Sequence, residues 1–550
     1  MAEINRQSVA IELRTTARDC LAMLTPDVSE LDLATKVGQL FVVGFDGTEP
    51  TDELRRLIVD YRCGNVIYFS RNVETPAQVA TLTEQLQEIA LESGPGLPLF
   101  VMADQEGGVV SRLDWGTELP GQMSLGASGD PDLARTAGAA VAAELAALGI
   151  NFDLAPVLDV NNNPQNPVIG VRSFGEEPEL AAELGAAMAT GMQSEGVVAC
   201  GKHFPGHGDT SADSHHELPV VDHDRRRLEA IEFAPFRAAI DAGIDALMTT
   251  HVSFPTIVGD AETPATISPA VQRRLLREEL GFDGLLVTDG MEMRAIADTV
   301  GTPEGCVRAL EAGCDLLLVC HTPETQAASV EAVLEAVESG RLDEATIDEA
   351  VERVLEYKRR RQVGTESPSD DRWRRAADRS REVGRAIAAA GITVPRDRDG
   401  TLPFAADRPL HLVGVSGSRA SPAEDDRYSS TLVADALTAA GFDVRHHEVG
   451  EPNDLPALEE SAQVIVAVYD AMADAKQAAI VRALDDADRD LRFVALLVRN
   501  PYDLSRFPDV STAVSTYDYT PSTLETLGEI LSGKRAATGR LPVTVPDFHE

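Results

Sequence analysis

Lysine is nearly absent. It occurs five times in 550 residues, at Lys36, Lys202, Lys358, Lys476 and Lys534, so almost all positive charge is arginine. Positive charge is itself scarce: 48 Lys and Arg stand against 90 Asp and Glu, a formal net charge of −42 with histidine neutral. Such a chain repels polyanions at long range, which excludes an ordinary nucleic-acid binder or a partner for anionic membranes. No apolar stretch reaches the roughly 18 residues needed to span a bilayer, and residues 1–24 lack the apolar core of a signal peptide. The expected compartment is the cytoplasm. Cysteine is sparse too: Cys20, Cys63, Cys200, Cys306, Cys314 and Cys320 form no CxxC pair, so they read as buried thiols in a reducing compartment and not as a disulfide framework.

What is present is globular composition, 43% hydrophobic with 42 Gly and 31 Pro, under an acidic coat. The balance resembles that of halophile proteins, in which carboxylates hold water at the surface and molar salt screens their repulsion. Eight short runs rich in Val, Ile and Leu recur at 39–44, 65–69, 98–103, 151–155, 197–202, 246–250, 284–288 and 315–319. Longer stretches of helical spacing separate them, the pattern of buried parallel strands and crossover helices. Helices are expected at 131–148, 178–195 and 269–280, each with proline near its first turn. Eight such units predict a (β/α)8 TIM barrel over residues 1–361, with an open doubly wound sheet as the alternative. A polar stretch containing Ser367-Pro368-Ser369-Asp370-Asp371 opens a linker, 362–384. A smaller α/β layered sandwich domain is expected over 385–550, with strands at 411–415, 443–448, 463–468, 493–497 and 512–516.

In a barrel, reacting groups come from the loops after the strands. Unusual polar residues cluster there repeatedly. Asp104-Gln105-Glu106-Gly107-Gly108 and Arg112 follow the third run, and Asp159 to Asn163 with Arg172-Ser173-Phe174-Gly175 follow the fourth. His251 follows the sixth and Asp289-Gly290-Met291-Glu292-Met293 the seventh. After the fifth comes Lys202-His203-Phe204-Pro205-Gly206-His207-Gly208-Asp209-Thr210, then Asp213-Ser214-His215-His216. Five of the fifteen residues 202–216 are Lys or His. His203-x3-His207 could present two imidazoles to a metal from one helical face, but the proline and glycines argue against a helix, and no metal or other cofactor is expected. Taken singly, each histidine is better read as a hydrogen-bonding group of a long loop, and each charged residue serves equally well as half of a salt bridge at the barrel mouth.

Together these blocks resemble the β-N-acetylglucosaminidases of glycoside hydrolase family 3. The 202–210 stretch with Asp213-Ser214-His215 is similar to the family's signature. Phe69-Ser70-Arg71-Asn72, the 104–108, 151–160 and 172–175 blocks, 248–251 and Thr288-Asp289 with Met293 fall in family order. The segments Ala389-Ala390-Gly391-Ile392-Thr393, Gly400-Thr401-Leu402-Pro403, 499–504 and Gly539-Arg540-Leu541-Pro542-Val543 are similar to the family's second domain.

The resemblance implies that Asp289 is the nucleophile, forming a covalent glycosyl-enzyme, and that His215 is the general acid and then base. Most retaining glycosidases use two carboxyl groups about 5–5.5 Å apart, so a histidine acid departs from the general template. Asp213, two residues away on the same loop, can bond one imidazole nitrogen, fix the tautomer and leave the other nitrogen facing the glycosidic oxygen. Asp104, Arg112, Arg172, Lys202 and His203 are implied to bind the sugar. With all catalytic groups on the barrel, the C-terminal domain is left as a packing or gating module. The implied activity is retaining exo-hydrolysis of terminal β-linked GlcNAc from amino-sugar oligosaccharides. A GlcNAc phosphorylase, a β-glucosidase or β-xylosidase, and a non-catalytic saccharide-binding protein are the alternatives. Val109 and Gly290 depart from the family pattern, which often has arginine and an acidic residue at these places. No sequence feature bears on oligomeric state.

Overall fold

The computed structural model describes residues 26–549 apart from 114, 116–118, 215–216, 416–420, 426 and 486–490. Eight parallel strands lie where the apolar runs are: β1 Phe41–Val43, β2 Asn65–Tyr68, β3 Phe100–Ala103, β4 Phe152–Asp153, β5 Val198–Phe204, β6 Ala246–Thr249, β7 Leu285–Val287 and β8 Leu317–Val319. They neighbour one another in sequence order, with β8 returning to β1. A parallel bridge between Val287 and Leu316, with Thr288 N–H donating to the Leu316 carbonyl at 2.9 Å, closes β7 onto β8. Every residue of these strands is buried, because side chains facing outward meet helices and those facing inward fill the barrel.

The crossover helices start as their sequences suggest. Asp130 caps Pro131–Ala147 by accepting from the Asp132 and Leu133 amides, and Pro178–Ser194 begins on its proline. The stretch expected as a helix at 269–280 is helical over Ala270–Glu279, wound as a π-helix. Its buried Leu275 and Leu276 lie four and five residues after buried Val271, which suits a turn whose hydrogen bonds reach five residues. At the opposite end of the barrel from the loops described below, buried Lys358 donates to Gln39 Oε1 and the Gly64 carbonyl. Burial lowers its pKa to about 7.

Much of the stretch read as a linker is helical. Asp370–Gly391 is a 22-residue helix capped by Ser369. It lies along Pro131–Ala147, where Trp373 Nε1 donates to Glu144 Oε2 (3.2 Å) and stacks edge-on against Trp115. Its far end enters the second core through Ala388. The helix therefore contributes to both cores, Val383 and Ile387 to the first and Ala388 to the second.

The second unit is a six-stranded sheet: β9 Thr393–Asp397, β10 Pro409–Gly414, β11 Asp443–Glu448, β12 Gln463–Val468, β13 Arg492–Leu497 and β14 Thr512–Ser515, in the order β9-β14-β13-β12-β10-β11. Five strands are parallel and were expected. β9 was not, and it runs antiparallel at one edge, the place where a strand tolerates Pro395. β11, at the other edge, is half-exposed and carries charge, which discourages edge-to-edge pairing.

Candidate active site

The loops after the barrel strands enclose a cavity of about 520 Å³, within the size range of small-molecule sites. Six of the eight residues expected to form a site line it: Asp104, Arg112, Arg172, Lys202, His203 and Asp289. Asp213 is buried and is not among the lining residues, but its neighbour Ser214 is. His215 lies outside the described residues.

The floor is a compact charge network. Lys202 Nζ sits 2.8 Å from Asp104 Oδ1 and 2.7 Å from Glu106 Oε1. Arg172 donates to both oxygens of Glu106, from Nε at 2.8 Å and Nη2 at 2.7 Å. Burial would raise both acids, but Lys202 and Arg112 hold Asp104, and Arg172 and Lys202 hold Glu106, below the usual carboxylate range. Burial likewise opposes the charge on Lys202, and Asp104 and Glu106 outweigh it, so its pKa is raised. Fixed donors beside ionised acceptors are what recognition of neighbouring hydroxyls requires.

A second network seats the loop after β5. Asp159 accepts from His203 Nδ1 (2.7 Å) and from the His207 amide (2.6 Å), and despite burial the two histidines keep it below its usual pKa. His207 bonds Thr210 Oγ1 through Nδ1 (2.9 Å) and Ser214 Oγ through Nε2 (3.1 Å), reaching the residue between Asp213 and His215. Gly208 permits this fit: a Cβ there would lie 1.8 Å from the Val160 carbonyl oxygen.

Asp289 follows β7, and its Oδ1 accepts from the Gly290 amide at 2.7 Å. His251 Nε2–H donates to the Gly290 carbonyl (3.0 Å). Glu292 accepts from the amides of Cys320, His321 and Thr322, tying the loop after β7 to the loop after β8. The remaining wall comes from the second domain. Residues 422–425 line the cavity, and Arg112 Nη1 lies 3.1 Å from Asp425 Oδ1. Sequence reasoning assigned no part of the site to this segment.

The profile of the Glycosyl hydrolase family 3 N terminal domain matches residues 32–357, more than half the chain. The chain belongs to glycoside hydrolase family 3. Within the family it is 31% identical over 547 residues to a "Beta-hexosaminidase A" of Pseudoalteromonas piscicida, covering 90% of this chain and 91% of that one. A "Beta-hexosaminidase" of Thiobacillus denitrificans (strain ATCC 25259 / T1) is 43% identical over 288 residues, half of this chain and 77% of its own length. A solved family 3 β-N-acetylglucosaminidase from Paenibacillus sp. str. FPU-7 superposes with a TM-score of 0.85 at 42% identity, covering 94% of this chain and 99% of that one. Both domains therefore belong to the shared architecture. No described helix is long and apolar enough to cross a membrane.

Proposed function

We propose that the protein is a retaining exo-β-N-acetylglucosaminidase that removes terminal GlcNAc from β-linked amino-sugar oligosaccharides. The observation that carries this reading is the placement of Asp289 in one cavity with Asp104, Arg112, Arg172, Lys202 and His203. The hexosaminidase names of relatives similar over both domains support the choice of sugar.

In this reading the charge network grips the hydroxyls of the terminal sugar and sets its anomeric carbon against Asp289. A carboxylate oxygen of Asp289 bonds that carbon while the bond to the leaving oxygen breaks, and His215 gives that oxygen its proton. His215 then takes a proton from water, whose oxygen displaces Asp289. Two inversions at one carbon return the starting configuration. Asp213 orients the imidazole and favours its protonated form. The five described cysteines are free and buried, which suits the reducing cytoplasm we assign to the enzyme, and the acidic coat suits a salt-rich one.

The test is turnover of chitobiose and of 4-nitrophenyl β-N-acetylglucosaminide, with and without phosphate, with products identified by mass. Free GlcNAc is expected in both cases. GlcNAc 1-phosphate as the main product would replace hydrolysis by phosphorolysis, and faster cleavage of the glucoside or xyloside would move the substrate class.

A further inference from the structure

Arg112 comes from the barrel, but its closest partners do not. Its Nη1 donates to Asp425 Oδ1 (3.1 Å) and to the Ala423 carbonyl (3.2 Å), both in the C-terminal domain, while the barrel's Asp104 stands 3.5 Å from Nη2. Asp104 is nearer to Lys202, at 2.8 Å. Hydrogen bonds weaken over these tenths of an ångström, so the direction of the guanidinium is set mainly from the second domain.

Asp425 is itself fixed by the barrel. Its Oδ1 accepts from Ser70 Oγ (2.5 Å), its Oδ2 from the Ser111 amide (2.9 Å), and its own N–H donates to the Val109 carbonyl (3.1 Å). One carboxylate thus gathers the loop after β2, the loop after β3 and Arg112. The side chain is 9% exposed, so little of this attraction is lost to water. Beside it Glu424 is held by Arg499 and Tyr469 within its own domain, which keeps the segment in place.

We infer that Asp425 is a positioning residue for Arg112, so that the sugar-binding wall of the barrel is completed only when the C-terminal domain is docked. This deepens the glycosidase reading and rests on it. The domain then acts in binding, beyond packing.

The experiment compares wild type, Asp425→Asn, Asp425→Ala, Arg112→Ala and the double variant Arg112→Ala/Asp425→Ala. The substrate is whichever 4-nitrophenyl β-glycoside of GlcNAc, glucose or xylose the wild type cleaves best. If the preferred sugar is not GlcNAc, the substrate assignment falls while the clamp is still tested; if none is cleaved, the dissociation constant of GlcNAc measured by calorimetry replaces KM. Loss of one charge-assisted contact to Arg112 should raise KM about tenfold or more in Asp425→Ala, with kcat changed less than about threefold. In the Arg112→Ala background the same substitution should cost less than about twofold in kcat/KM, because the partner is already gone. Tyr502→Phe is the control. Tyr502 hydrogen bonds Asn161 across the domain boundary away from the cavity, and this variant should leave KM unchanged. Should Asp425→Ala fail to fold, Asp425→Asn and Ser70→Ala carry the comparison. An unchanged KM, an equal cost with and without Arg112, or the same rise in Tyr502→Phe would overturn the inference.

Discussion

Glu106 and Arg172 meet at two points, Oε2 to Nε at 2.8 Å and Oε1 to Nη2 at 2.7 Å, with side chains only 1% and 4% exposed. Lys202 adds a second cation 2.7 Å from Oε1. Breaking such an arrangement leaves charge buried without compensation, typically at about 3–5 kcal/mol. Glu106→Gln keeps the shape and removes the charge, so it should lower unfolding stability by about 3 kcal/mol, read from urea denaturation. A loss below about 1 kcal/mol would mean that water reaches Arg172 and Lys202 in the folded protein.

Asp289→Ala should abolish turnover of every β-glycoside, since no other group takes the anomeric carbon in the proposed reaction. His215→Ala should spare 4-nitrophenyl substrates far more than chitobiose, because a good leaving group needs little protonation. Steady-state kcat/KM on the two substrates checks this. Equal losses on both would remove His215 as the acid.

The barrel was legible because its strands are buried on both faces and so read as unbroken apolar runs. The helix Asp370–Gly391 was not. Its outer face is dense in arginine and aspartate, and on the face it buries Val383 and Ile387 are outnumbered by small residues such as Ala377, Ser380, Gly384 and Ala388. The edge strand β9 was hidden by the proline inside it. Asp104, Lys202 and Asp289 could be found as strand-end residues in motifs, and Glu106 and Asp159 stood in the same motifs. Their roles depend on partners 66 and 44 residues away, which spacing does not encode. Asp425 gave no signal, as one acid among 90 in the acidic run Glu424-Asp425-Asp426.

A net charge of −42 sets the folded chain against itself at low ionic strength. The repulsion is screened beyond about 8 Å at 0.15 M and beyond about 3 Å at 1 M, so molar KCl should relieve repulsion that physiological salt leaves. Thermal unfolding should shift upward between 0.1 and 2 M KCl, and activity should rise with it. A flat midpoint across that range would show that the acidic coat is no adaptation to salt, and it would leave the chemistry at Asp289 untouched.

His207 provides a pH-dependent contribution of defined sign. The ring is buried, and burial, then the neighbouring His203, lower its pKa to about 4. In the unfolded chain the same group titrates near 6.5. Between these two values the unfolded chain holds a proton that the folded protein lacks, so stability rises with pH through the window and is level above it. Lowering the pH from 7.5 to 5 should therefore cost the wild type about 2 kcal/mol through this group. In His207→Gln that contribution is absent, so the stability difference between the two proteins should narrow by this amount as the pH falls. The change should be felt at Ser214, because Nε2 of a neutral ring bonds its Oγ, and protonation removes whichever ring nitrogen was accepting. Chemical denaturation of both proteins at pH 5, 6 and 7.5 measures the gap. A gap that stays constant across the series would mean that His207 titrates alike in both states, and that the loop after β5 is not held by a neutral imidazole.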